Sequence, residues 1–455
     1  ASYLHYHTVE DYFVFFNLVS RLAESGAYNN VTVPLGAHIP FDADAANACE
    51  PAAADPAIVS LFGCTYVDPN PLSGIDGQGH NYFRSQNPYR LHSWAGFGEA
   101  YYQLTPEVKL TAGVRWTDDM KSFDEIPSWV LLPGKGLPMT SVLDQQWKEW
   151  TGRFNATWTP KLDFTDQSLF YASYARGYKG GGANPPGVIP LCSGSICFGS
   201  PSDTAHPLTF KPEFVNAFEL GTKNTLLDGT LTLNGDVFFY KYKNYQISQI
   251  VDRTSVNLNF NTTVKGLELE ATWEPVPGLR FNGALGYEDA KLDEGSKAID
   301  LMDRTAGHTD WMVVKPFITQ TSNCIVPSYV VNEFLSNMRN RGGGDNSTPV
   351  SSLPGHDLYF SGDGTQMAQF CLAAYTFGID PGLFINGTAT GFDPSTAPNN
   401  GEGFDKDLSG NKLPNSPPVT LSLGAQYSMP ISETWAGTLR GDFYWQGDSY
   451  ARVFN

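Results

Sequence analysis

The side chains with the most chemical potential in this sequence are six cysteines, at positions 49, 64, 192, 197, 324 and 371. Thiols can hold zinc, carry a redox couple or close disulfides. A structural zinc site needs four ligands, usually supplied as CxxC pairs or with histidine. Cys192 and Cys197 are too widely spaced for CxxC, and the nearest histidine is His206, so no metal is expected. The cysteines fall as three neighbouring pairs, none within a stretch that alternates apolar and polar residues. That arrangement fits disulfides formed in an oxidising compartment. Closing short local loops costs the least entropy. The pairs expected are therefore Cys49–Cys64, Cys192–Cys197 and Cys324–Cys371.

Other candidate chemistry is thin. His5 and His7 share one face of a strand and could bind a metal, though a wetted wall explains them as well. Asp405-Lys406-Asp407-Leu408-Ser409-Gly410 resembles the start of a calcium loop, but Ser416 stands where the bidentate carboxylate belongs. Gly180-Gly181-Gly182 lacks the Lys-Ser/Thr of a phosphate loop. No GxSxG, HExxH or Cys–His signature occurs, so neither a catalytic residue nor a cofactor is proposed, and the chain is not expected to be an enzyme. What remains is recognition. Trp129, Phe198, Trp311, Phe317 and Tyr329 lie in long connections, where aromatics often mark ligand capture; some must instead pack the loops.

The elements that would position these residues are strands. Val108, Leu110, Ala112, Val114 and Trp116 alternate with Lys109, Thr111, Gly113, Arg115 and Thr117. The same period of two recurs over 231–240, 267–274, 279–288, 419–427 and 439–446. Several apolar faces end in an aromatic: Trp116, Trp273, Tyr287, Tyr427 and Trp445. Long alternating strands with aromatic ends fit a membrane barrel whose apolar face meets lipid and whose polar face lines the lumen. On that face Glu99, Lys109, Arg115, Asp236, Glu268, Glu270, Arg280, Arg440 and Asp442 would form a hydrated wall of mixed sign or a ligand path.

The fold expected is all-β: a transmembrane antiparallel barrel segment of eleven strands. Short turns alternate with long connections at about 15–88, 124–146, 180–210 and 294–416. An odd number of antiparallel strands cannot close as an up-and-down barrel, so an open arc of a larger one is expected. Short helices are expected over 55–63, 328–341 and 366–375, held by the disulfides because they have little core of their own.

Composition narrows the partners. No run of eighteen apolar residues exists, which excludes a spanning helix. No charged and then apolar segment opens the sequence, so a secretory leader is expected to be already removed or to lie outside it. Charged residues are only 17%, and the net charge is −18. So acidic a chain argues against nucleic acid and against docking anionic lipid.

Five stretches together resemble the barrel of a TonB-dependent outer-membrane receptor. They are Ser93 to Glu99 with Leu110 to Arg115; Leu169 to Gly181; Lys211-Pro212-Glu213 with Phe218 to Lys223; Val264 to Glu270 with Pro277-Gly278-Leu279; and Leu408 to Asn415 with Pro417. Nothing resembles that family's plug domain or TonB box. The resemblance implies a partial barrel over 1–455, about eleven of twenty-two strands, with the plug domain outside this chain and long extracellular loops at about 15–88 and 294–416. It implies a multi-pass protein of the bacterial outer membrane that binds a scarce bulky nutrient, such as a ferric siderophore, at its loops. Its partners would be outer-membrane lipid, the nutrient, and the TonB complex acting through the plug. A passive porin or a surface-binding barrel, for glycan uptake or adhesion without energy coupling, is the alternative.

Overall fold

A computed structural model describes residues 1–14, 38–39, 65–66, 83–125, 129–130, 141–184, 191–193, 196–198, 207–251, 254–314, 323–341, 370–376 and 378–454. Eleven long strands run in chain order: β1 (Ser2–Val14), β2 (Phe83–Gln103), β3 (Val108–Glu125), β4 (Ser141–Trp158), β5 (Gln167–Lys179), β6 (Glu213–Leu226), β7 (Leu231–Val251), β8 (Thr254–Val276), β9 (Leu279–Leu292), β10 (Val419–Pro430) and β11 (Ala436–Gln446). Each pairs antiparallel with its sequence neighbour, and β1 and β11 each have one partner strand among the described residues. The sheet is the open arc that the strand count requires.

Turn chemistry sets the register at the short end. Val276 pairs with Leu279 across Pro277-Gly278. Gly278 sits at φ 86°, and an added Cβ would lie 2.2 Å from the Ser428 carbonyl oxygen, so only glycine fits. Proline beside it presets the other half of the turn. The opposite end carries the long connections and is called here the loop end.

Residues opposite each other in the register share a face. Leu285 lies opposite Leu269 and Leu421, Leu423 opposite Gly283 and Phe443, and Phe154 opposite Ala112 and Tyr174. The apolar residues therefore form one continuous band. Val114, Leu233, Leu269, Leu285 and Leu423 are between 37% and 52% exposed, as an unpartnered outer surface requires and a packed sandwich core forbids. Aromatics border the band on both sides. Trp158–Phe170 and Trp273–Phe281 pack with tilted rings at 5.5 and 5.9 Å toward the turns, and Tyr174–Phe218 at 4.9 Å toward the loops. Trp158 and Trp150 mark the two borders on β4. They are about 27 Å apart along the strand, comparable with the roughly 25 Å band of membrane barrels once tilt is allowed for.

The inner face changes character along its height. Midway it is polar. Toward the loop end of β7 to β9 it becomes a core: Phe260, Val264, Ala290 and Leu292 are buried with Ala298, Leu408 and Leu413 from the long connection and Val453 from beyond β11. The connection after β9 thus folds inward onto the wall, rather than standing away from it.

The expected helix at 328–341 is present as α1 (Ser328–Arg341). The expected 366–375 helix is represented by Phe370 to Thr376, of which Leu372–Thr376 is a π-helical turn. A further short helix, α2 (Pro381–Asn386), was not expected. The proposed helix at 55–63 lies outside the described residues.

Candidate functional site

The long connection after β9 builds a small domain of its own at the loop end. Two short strand pairs frame it: Lys297–Ile299 with Asp405–Asp407, and Trp311–Val314 with Cys324–Pro327. Val314, Val326, Val330, Val331, Phe370, Cys371, Ala374, Tyr375 and Phe392 form its buried centre. Each fully buried Val or Phe in such a centre stabilises by about 1.5–3 kcal/mol. Cys324 and Cys371 are bridged, closing a loop with a sequence separation of 47. The Tyr375 hydroxyl donates to the Ile325 carbonyl, and burial pushes its pKa up. Gly401, at φ 82°, lies flat against the Tyr375 ring, where a Cβ would meet ring carbons at 2.1 Å.

Polar contacts lock the periphery. Asp380 caps α2, accepting from the backbone of Gly382, Thr390 and Gly391 at 2.9, 2.7 and 2.8 Å and from the Thr390 hydroxyl at 2.7 Å. Buried Arg304 donates to the Glu402 carbonyl at 2.8 Å and faces the Glu402 carboxylate at 3.9 Å. Asp300, 3% exposed, accepts from Arg452 at 2.8 Å, which ties the segment after β11 to this unit. Asp407 accepts from the Ser409 amide and hydroxyl at 2.9 and 2.6 Å, and these bonds hold its carboxyl below the usual range. The stretch that resembled a calcium loop is thus a short strand followed by a self-capped turn.

The loop aromatics separate into different settings. Trp311 packs edge-on against Phe392 at 6.1 Å and Phe404 at 5.6 Å, so it helps to build the unit. Tyr329, on the first turn of α1, is 52% exposed and presents its ring outward. Trp129 lies in a two-residue strand that pairs with Phe83 and Arg84 of β2. Phe198 ends a small hairpin opposite Leu191. The structure therefore places Trp311 and Tyr329 in one unit and Trp129 and Phe198 in separate ones. Phe317 lies outside the described residues, as do Cys49 and Cys64. Cys192 and Cys197 face each other directly across their hairpin, the backbone register that a local bridge needs.

Below the unit, the inner wall is zoned by charge. On one flank Arg153 donates to Glu99 at 2.7 and 3.0 Å, Lys109 lies over the Tyr101 ring, and Arg115 lies over Phe97. On the other, Arg440 and Asp442 pair at 2.7 and 2.8 Å, and Arg280 lies 3.5 Å from Glu274. Between them Glu219, Asp236, Glu268 and Glu270 share β6 to β8, with Asp236 directly opposite Glu268. The Tyr171 hydroxyl donates to Glu219. Among the described residues no ion pair joins these four carboxylates to a cation. The wall is thus of mixed, paired sign at the flanks and acidic at the centre. His5 packs against His92, with ring nitrogens 3.2 Å apart, on the opposite, outer face.

A polar wall roofed by an inward-folded, disulfide-clamped unit can bind and admit a solute without covalent chemistry. A family model described as "TonB dependent receptor-like, beta-barrel" matches residues 3–322, from β1 past β9. The chain is similar to the ferric yersiniabactin uptake receptor FyuA from Yersinia pestis, at 15% identity, over 82% of this chain and 37% of that one, with a TM-score of 0.45. It is similar to the ferric-catecholate import receptor Fiu from E. coli K12, at 14% identity over 76% and 33%, TM-score 0.37. It is also similar to the siderophore receptor PiuA from Acinetobacter baumannii, at 16% identity over 76% and 32%, TM-score 0.36. The chain spans between 32% and 37% of the length of these three proteins.

Proposed function

The chain belongs to the TonB-dependent receptor β-barrel family, and on that premise we propose that it serves energised uptake across the bacterial outer membrane. In this reading the strands span the bilayer as part of a larger barrel. The long connections are extracellular and capture a scarce, bulky nutrient such as a ferric siderophore. A plug domain outside residues 1–455, pulled by the TonB complex, admits it. The observation that carries the reading is the family match over β1 to β9. The wall itself supports it: lipid-facing residues outside, charged residues inside, and a loop unit packed onto the inner face.

Each part has a physical task. The apolar band holds the wall in lipid. The bridge and the buried centre keep the loop unit in one shape, so little ordering cost is paid on capture. Tyr329 offers exposed aromatic surface for a ligand, and Trp129, Phe198 and Phe317 are proposed to add to it from other connections. The central carboxylates present a negative field to whatever occupies the lumen.

The test is uptake by cells that carry or lack the full-length protein under iron limitation, using radiolabelled ferric siderophores. Accumulation that depends on the protein, and that stops when a protonophore collapses the inner-membrane gradient, is expected. Accumulation indifferent to the gradient, with swelling of proteoliposomes in small sugars, would make the protein a passive pore instead.

A further inference from the structure

His5 and His7 share a strand face, but the structure gives His5 a different partner. β1 pairs with β2 so that His5 lies directly opposite His92. Their ring centroids are 4.4 Å apart, and the two Nδ1 atoms stand 3.2 Å from each other. His5 is exposed and His92 half-buried. His7 lies opposite Arg90 instead, whose guanidinium makes two bonds to Asp124 at 3.1 and 3.2 Å. The outer row through the pair reads His5, His92, Met120 and Gln146 across four strands. It lies two rows on the loop side of Gly96, Trp116 and Trp150, which mark the border of the apolar band. Those rows span roughly 14 Å along the strand, so the pair stands past the band, where water reaches it.

Two imidazoles brought nitrogen to nitrogen can share one proton or one metal ion. The shared proton gives little reason to fix both rings, because water replaces that bond at small cost. The shared ion fits the spacing. Two nitrogens bound to one tetrahedral ion stand about 3.3–3.4 Å apart, and two at right angles about 2.8–3.0 Å. The observed 3.2 Å falls between, so an ion enters with little movement of either ring. The Tyr3 hydroxyl is 3.5 Å from the same His92 nitrogen, and its ring is braced on Trp94 at 4.3 Å. Among the described residues no third His, Cys, Asp or Glu gathers with the pair. A shell of two nitrogens and water does not suit calcium or magnesium, which take carboxylate and carbonyl oxygens. It suits zinc, nickel and copper, with Cu2+ held tightest.

We infer that His5 and His92 together bind one divalent transition-metal ion of the imidazole-preferring class, Zn2+, Ni2+ or Cu2+, on the outer face at the loop end. The ion bridges neighbouring strands and so staples β1 to β2, the one strand that pairs with β1 among the described residues. It sits on the opposite face from the central carboxylates. The wall therefore holds this ion and does not carry it through the lumen. Water completes its shell, so the ion exchanges readily. The site stands on the β1–β2 register and not on the uptake reading, so either can fail alone.

Metal titration of the tag-free, full-length protein in detergent tests it, by Zn2+ calorimetry and by electron paramagnetic resonance of added Cu2+. The wild type should bind one more Zn2+ per chain than His5→Gln/His92→Gln. Its copper signal should show two imidazoles on one ion. Each single variant, His5→Gln or His92→Gln, should leave one imidazole and weaken binding at least about tenfold. Either single variant decides, should the other fail to fold. His7→Gln should change neither readout, and millimolar Ca2+ should not compete. Wild-type stoichiometry in the folded double variant would overturn the proposal. So would loss of the signal in His7→Gln with His92→Gln silent, which places the ion along β1 and not across the strands.

Discussion

Cys324 and Cys371 lie in the buried centre of the loop unit, and their bridge closes a long excursion of chain. Replacing Cys371 with Ser should cost the unit about 2–4 kcal/mol. Limited proteolysis between 294 and 416 should accelerate, while the β-sheet circular dichroism stays unchanged. Asp380→Ala should loosen the same unit by roughly 1–3 kcal/mol, because it leaves the amides of Thr390 and Gly391 without their acceptor. Hydrogen exchange at those two amides measures this directly. The Cys324–Cys371 bridge was legible in the sequence because paired cysteines within one connection have few local alternatives. The Arg304–Glu402 and Asp300–Arg452 contacts were not legible, since each joins residues far apart along the chain. Trp311 reads as a capture aromatic, and in the structure it packs edge-on against Phe392 and Phe404. A loop tryptophan has the same sequence signature whether it faces solvent or its own loop.

At the scale of the strands, the period of two carried almost everything. β3, β7, β9 and β11 could be drawn from alternation alone, because every second side chain must satisfy the same solvent over the whole strand. The three- and four-residue pairs within the loop unit escaped, since so short a strand has no period to read. Face assignment makes a sharp contrast between neighbours. Leu269→Lys, in the middle of the outer band, should cost about 2–4 kcal/mol in refolding into lipid vesicles. Ala284→Lys, on the inner face opposite Glu270 and Ser422, should change that free energy little. Denaturant titration in vesicles compares the two, and equal costs would mean that both faces see the same medium.

At the scale of the molecule, one rule of solvent joins three regions. Lipid meets the apolar band, water meets the charged wall, and the loop unit closes the loop end by folding inward onto the apolar part of that wall. The open arc leaves one edge of β1 and one of β11 without a partner among the described residues, as eleven antiparallel strands demand. A barrel wall depends on this sorting, because a wall wetted on both faces could neither hold a bilayer nor bound a lumen. Photolabelling of the full-length protein in native membranes with a bilayer-soluble diazirine tests the sorting most directly. Mass spectrometry should find label on Val114, Leu233, Leu269, Leu285 and Leu423 and none on Glu99, Glu268 or Glu270. Label spread evenly over both sets, or confined to the carboxylates, would contradict it.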